Sequence, residues 1–293
     1  MRYLKYAAVL WVCLLAAVSL EAVAGGAGAV RKQIESSMLV KGTLSILADG
    51  SVESVQLHQP EKLPAGVVRF LGDTAMAWRF EPVVVDGKAA AVSAPMTVRI
   101  VANKREDGGY QVTLRSASFD HYDPADLAAI AADKMDPPAY PEKLWRLGAA
   151  GTVYVIAKVG RDGKVVDVHA EQVNLRIVTR EGEMSRFRQA FVNSALPAAR
   201  RWTFRIPTQG VQADKPYWVV RVPVDYSLHE GGRAKSKDEL YGSWVAYVPG
   251  PRNRAQWDVQ AEGAGFSPDA LEEGVYMAGA SKGPKLLTPL VQG

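Results

Sequence analysis

One stretch of strict alternation closed by a tight turn narrows what this chain can become more than any other feature. In Gly151-Thr152-Val153-Tyr154-Val155-Ile156-Ala157-Lys158-Val159, residues Val153, Val155, Ala157 and Val159 fall on one side of an extended ribbon. Thr152, Tyr154, Ile156 and Lys158 fall on the other, the two-residue period of a half-buried strand. Asp162-Gly163 supplies the positive φ of a tight hairpin, and Val165-Val166-Asp167-Val168 resumes extended chain. The segment predicts an antiparallel hairpin.

A cover for that hairpin follows. Phe187, Phe191, Ala195, Ala198 and Trp202 recur every three or four residues and make one apolar stripe on a helix. Pro197 interrupts the stripe and is expected to kink or split the helix near Asn193–Ser194, because it removes a backbone donor. A closing strand comes last, with Val220, Val222, Val224, Tyr226 and Leu228 as its inward row. Pro223 lies on its outward row and places the strand at a sheet edge, since proline cannot donate to a ladder.

Five short motifs now stand in order between Asp136 and Leu228: Pro138-x-Tyr140-Pro141, Gly151-x-Val153-x-Val155, Asp162-Gly163-x-Val165, Arg200-x-Trp202-x-Phe204 and Val222-Pro223-Val224-x-Tyr226. The series resembles the C-terminal domain of TonB, the periplasmic protein that links inner-membrane energy to outer-membrane transporters. The resemblance implies an α+β fold, a three-stranded antiparallel sheet with helices on one face. It also implies that a transporter's extended peptide adds beside the last strand, and that the proline-tyrosine-proline approach touches the transporter. Carried over by motif, the partner-binding positions are Pro138, Tyr140 and Pro141 in the approach and Val220, Val222, Val224 and Tyr226 along the edge. The implied partner is an outer-membrane TonB-dependent transporter or another envelope protein. Strand addition suits an edge because its N–H and C=O groups are unpaired while alternate side chains give selectivity. On that reading Val222→Pro removes an edge donor and abolishes peptide capture in a folded domain. Trp202, Phe204 and the valine rows also read as core.

Residues 38–115 repeat the pattern in degenerate form. Leu44, Ile46, the turn Asp49-Gly50, Val52 and Val55 stand for the hairpin, and Val67, Leu71, Thr74 and Trp78 have helical spacing. Trp78-Arg79-Phe80 parallels Trp202-Thr203-Phe204, and Met96, Val98 and Ile100 mirror the closing strand. Tyr110, Val112 and Leu114 alternate after Asp107-Gly108-Gly109, predicting an added strand that covers this copy's edge. The expected architecture is therefore two small TonB-C-like domains, 38–115 and 137–228. Asp123 and Pro124 read as the N-cap and first residue of a connector helix within 119–136. Residues 229–293 read as an irregular or mobile tail, in which Tyr241, Trp244, Tyr247 and Trp257 are too many large aromatics for a plain linker and are candidates for docking on the second domain.

The N-terminus reads as a secretory signal peptide over residues 1–24: Arg2 and Lys5, an apolar run from Ala7 to Leu20, then Ala22-Val23-Ala24. Periplasmic location is the expectation, with an inner-membrane anchor through residues 4–20 as the alternative; membrane contact arises only if the segment is uncleaved. Cys13, the single cysteine, lies inside this run, so a processed chain has no disulfide or thiol chemistry. A net charge of +4, from 35 basic against 31 acidic residues, gives no footprint for nucleic acid. His58, His121, His169 and His229 are far apart and lack metal spacing, and no phosphate loop or nucleophile elbow occurs. No catalytic residue, metal site or cofactor is expected. Two functions remain: a TonB-like transport-coupling protein, or a soluble periplasmic binding or scaffold protein that keeps the fold without energy transduction.

Overall fold

The computed structural model describes residues 35–104, 110–227, 241–258, 266–279 and 283–290. The leader read in residues 1–24 and Leu228 lie outside these. In chain order the elements are β1 (Glu35–Ile46), β2 (Val52–Leu57), α1 (Ala65–Met76), β3 (Val84–Val85), β4 (Lys88–Ala89), β5 (Val92–Lys104), β6 (Tyr110–Ser118) and β7 (Ala131–Lys134). There follow α2 (Glu142–Arg146), β8 (Gly151–Gly160), β9 (Val165–Leu175), α3 (Glu181–Ala199), β10 (Thr203–Arg205), β11 (Tyr217–Tyr226), β12 (Val245–Tyr247) and β13 (Tyr276–Met277). The fold is mixed α+β, with several small antiparallel sheets and few helices. Among the described residues no helix is long and apolar enough to cross a membrane.

Two of the sheets share one order of elements. In the first, β1 lies between β2 and β5; in the second, β8 lies between β9 and β11. The hairpin turns match atom for atom. Gly50 and Gly163 both have positive φ (84° and 75°), and Asp49 Oδ1 and Asp162 Oδ1 accept hydrogen bonds from Ser51 N–H and Lys164 N–H at 2.9 and 3.1 Å. Each turn carbonyl then receives the N–H of the second aromatic after the helix: Phe80 to Gly50 and Phe204 to Gly163, both at 2.8 Å. A bulge follows each turn, with Glu53 and Val166 left out of the ladder register.

The helices cover one face of each sheet. Val67, Leu71 and Ala75 of α1 join Leu44, Ile46, Met96 and Val98 in one core, and Met184, Phe191, Ala195 and Ala199 of α3 join Val153, Val155, Val220 and Val222 in the other. α3 runs unbroken through Pro197, so the helix is not split there. The proline sits in the last turn, where a missing donor costs only the bond to Asn193, and the helix ends two residues later at Ala199. The connector is not a helix either. Asp123 Oδ1 and Asp126 Oδ1 accept from Ala125 and Ala128 N–H at 2.8 Å each, so local turns replace helical bonds, and Ala131–Lys134 pairs with β10 as β7.

β6 pairs with β5 from Thr97 to Lys104 and covers the rim of the first sheet. The ribbon that opened the second sheet is buried on both faces, not one: Tyr154 and Ile156 are as enclosed as Val153 and Val155. Its second face is covered by the chain after residue 240, the part read as an irregular or mobile tail. β12 pairs with β1, Val248 bridges Leu175, Asn253 N–H bonds to the Glu171 carbonyl, β13 pairs with β11, and Leu286 bridges Phe80. The described stretches of the tail are thus packed against both sheets.

Candidate functional site

The proline-tyrosine-proline approach is pinned to the second sheet. Pro138, Tyr140 and Pro141 are half-buried. The Tyr140 ring stands edge-on to Phe191 (6.0 Å) and to Tyr226 (5.5 Å, 90°), and its hydroxyl donates to the Ala149 carbonyl at 2.5 Å. Burial, opposed by the Arg176 charge, pushes the Tyr140 phenol up to about 12, so it is a neutral donor at any physiological pH. Trp202 Nε1 donates to the Asp136 carbonyl at 2.9 Å, and Ser194 bonds to the Ala139 carbonyl. Pro141 starts the short helix α2, which leaves Trp145 58% exposed beside the approach.

Val220, Val222, Val224 and Tyr226 point inward against α3, and all four are buried. Their side chains belong to the core and are not displayed to a partner. The backbone alternates as well. The Ala278 N–H donates to the Val219 carbonyl at 2.8 Å, which fixes the odd positions Val219, Arg221, Pro223 and Asp225 as those whose backbone nitrogen and C=O face the outer rim, Pro223 having no N–H to offer there. The even positions face β8, with which β11 pairs without a bulge from Tyr217 to Tyr226. Pro223 therefore costs the ladder nothing. The expected edge donor at Val222 is instead a bond of the central ladder.

That rim is not bare. β13 lies antiparallel along it, with Val220 opposite Met277 and Arg221 opposite Tyr276. Beyond β13, the Pro223 carbonyl and both backbone groups of Asp225 face outward. At the other end, a cleft of about 210 Å3 opens beside Lys215, Tyr217, Trp218, Met277 and Ala278.

Sequence reasoning missed the polar groups on the second face. Glu171 is the extra residue of a bulge between Gln172 and Ala170, and its carboxylate is fully buried. Arg221 Nε bonds Glu171 Oε2 at 2.7 Å and its Nη2 reaches Asp258 Oδ2 at 3.0 Å; Arg252 Nε bonds Glu171 Oε1 at 2.9 Å. Phe266 lies over both guanidiniums. A second network ties the sheets together. Asn174 Nδ2 donates to the Tyr247 hydroxyl at 2.9 Å, Tyr247 donates to Asp269, and Ser116 Oγ donates to Asp269 Oδ1 at 2.8 Å. Arg99 holds the Asp269 carbonyl at 2.7 Å and Ser37 Oγ at 3.1 Å. An outward Arg221 on a strand with Glu171 across the sheet, and the large aromatics of the tail such as Tyr247, were signals that this face is covered. Among the described residues no group of three or more His, Cys, Asp or Glu is placed to hold a metal ion.

The sheet order, the aromatic approach and the strand on the rim define a small α+β module built on an antiparallel sheet. Two curated proteins named Protein TonB, from Xanthomonas campestris pv. campestris strain B100 and from a second strain of that pathovar, are each 33% identical to this chain over 100 residues. The match takes in 34% of this chain and 39% of each relative, so the chain spans well under half the length of the TonB proteins it matches. No family model matches the chain, and no solved structure matches it.

Proposed function

We propose that this chain is a TonB-like protein of the bacterial envelope that engages an outer-membrane transporter, or another envelope protein, through an extended peptide added to the outer rim of β11. The observation that carries the reading is β13 itself: an antiparallel strand seated on that rim through Val219, Val220 and Arg221. The partial identity to TonB supports the partner class. In this reading both sheets are TonB-C-like units, the first closed by β6 and the second open to exchange. The main chain supplies the bonds, and the half-buried Pro138, Tyr140 and Pro141 with exposed Trp145 supply the flanking contact.

A second reading is a periplasmic scaffold that keeps the fold without energy transduction. The packing of the chain after residue 240 on both sheets favours it, because the rim is filled in the resting chain. Export by residues 1–24 belongs to both readings, with cleavage after Ala24 required by the second; the mass of the processed chain tests this.

A photo-crosslinking side chain at position 225, in the full chain expressed in a Gram-negative envelope, tests the partner. The expected product contains an outer-membrane transporter. Crosslinks to the chain's own tail alone overturn transporter binding and leave the scaffold reading.

A further inference from the structure

The extended stretch Trp78-Arg79-Phe80 of the first half (β1 to β6) and Trp202-Thr203-Phe204 of the second (β7 to β11) each have chain on both sides. On one side the neighbours match: Arg79 bridges Ser51 and Thr203 bridges Lys164, each next to a hairpin turn. On the other side the positions match, but the chain that fills them does not. In the second half β7 pairs with β10, Ala132 opposite Phe204 and Lys134 opposite Thr203, so the filling comes from the stretch that leads into that half. In the first half the same place is taken by residues 285–288. Leu286 bridges Phe80, the Glu81 N–H donates to the Lys285 carbonyl at 2.9 Å, and the Leu287 N–H donates to the Arg79 carbonyl at 2.8 Å. Both pairings are antiparallel, so Leu286 stands where Ala132 does and Thr288 where Lys134 does. A threonine hydroxyl joins each pair: Thr203 Oγ1 accepts the Lys134 N–H at 3.2 Å, and Thr288 Oγ1 accepts the Arg79 N–H at 2.8 Å. The first bond spans 69 positions of chain and the second 209.

The incoming segment is fitted to its place. Leu286 is buried in one cluster with Trp78, Phe80 and Phe119, whose rings meet edge-on at 4.9, 5.5 and 6.3 Å between centroids. The Gly283 N–H donates to Asp120 Oδ1 at 3.1 Å, and a Cβ at Gly283 would stand 2.3 Å from the Phe119 oxygen, an approach open only to glycine. Without the segment the Arg79 and Glu81 N–H groups and the Arg79 carbonyl lose these partners, and the aromatic cluster loses the side chain that closes it. We infer that residues 283–290 are the closing element of the first half, delivered from the far end of the chain into the position that the second half fills from its own leading stretch. The surface made by Arg79, Phe80, Glu81 and Phe119 binds this segment whether it is tethered or free. The first half is therefore complete only once the last residues are in place, and their removal opens it while the second half stays closed.

The tether supplies a high effective concentration that a free segment lacks, so the free form must be given in excess. The test compares hydrogen exchange in the full chain and in a chain ending at Lys282. The reporter amides lie in the β1–β5 ladder for the first half and in the β8–β11 ladder for the second, neither of which contains residues 283–290. Shortening is expected to speed exchange in the first ladder at least about tenfold and to leave the second within about twofold. A synthetic peptide of residues 283–290 at millimolar concentration is expected to restore the first ladder, and the same peptide with Leu286→Asp to leave it fast. Leu286→Ala in the full chain is expected to give the same division in smaller measure, and it serves where the shortened chain does not fold. Equal acceleration in both ladders overturns the inference, as does a first ladder that shortening leaves unchanged or that the unaltered peptide fails to protect.

Discussion

The Val219 carbonyl accepts the Ala278 N–H at 2.8 Å, and that one bond sets the orientation of every peptide group in β11. It turns the odd positions to the rim and the even positions to β8. It also explains why a strand with proline at its centre remains fully paired on its inner side: Pro223 lacks a donor only where no ladder bond to β8 is made.

The consequence for proline substitution reverses the expectation from sequence. Val222→Pro removes a donor from the β8 ladder and leaves a buried carbonyl without its partner, so it destabilises the chain by at least about 2 kcal/mol. A urea unfolding curve will show a lowered midpoint, where Asp225→Pro, on the rim, shifts it much less.

The two hairpins carry an equivalent steric lock. A Cβ at Gly50 would stand 2.0 Å from the Phe80 oxygen, and one at Gly163 would stand 2.3 Å from the Phe204 oxygen, both at positive φ. Left-handed backbone costs an alanine about 1–2 kcal/mol before the clash is counted. Gly50→Ala and Gly163→Ala are each expected to lose more than about 2 kcal/mol, read by thermal or urea unfolding. A loss at one site but not the other would show that the two turns are not equivalent.

What the sequence made legible is local or periodic. The Val153–Val159 alternation, the Asp-Gly turns, the helix stripe through Phe191 and Ala195, and the added strand at Tyr110–Ser118 all depend on neighbours within a turn or a strand. The tail does not. Tyr241 bonds through its hydroxyl to backbone 200 residues away at Lys41, and Val248 and Leu286 bridge partners on different sheets. No period in 241–290 records such pairings. Tyr154 and Ile156 misled for the same reason: alternation identifies two faces, but the cover on the second face comes from distant chain. Asp123-Pro124 has the letters of a helix start, yet each aspartate satisfies a nearby N–H in a turn and β10 takes the residues that follow.

Arg221 is held by Glu171 and Asp258 with almost no solvent contact, so removing it takes a buried cation from both carboxylates, Glu171 keeping its bonds to Arg252. Breaking such a cluster costs about 3–5 kcal/mol. Arg221→Met is expected to lose that much in urea unfolding. Arg252→Met should lose less, because Arg252 is about a quarter exposed and Arg221 still neutralises Glu171. Equal effects at the two arginines would contradict the burial difference.

Asp225 gives the rim a pH response. Burial pushes its carboxyl up, but the Arg176 charge at 2.6 Å, together with hydrogen bonds from Arg176, Ser227 and Thr152, outweighs burial and holds it below the ordinary carboxylate value of 3.8. A depressed folded value means that the stabilisation is present above the unfolded pKa and is lost as the pH falls through the folded one. The aspartate is about half exposed, so solvent screening limits the contribution to less than about 1 kcal/mol. Asp225→Asn is therefore expected to melt a few degrees below the unaltered chain at pH 7 and level with it once the pH is well below 3.8, as followed by circular dichroism. A gap that persists unchanged in acid would mean that Asp225 acts through packing and hydrogen bonding alone, with no part for its charge.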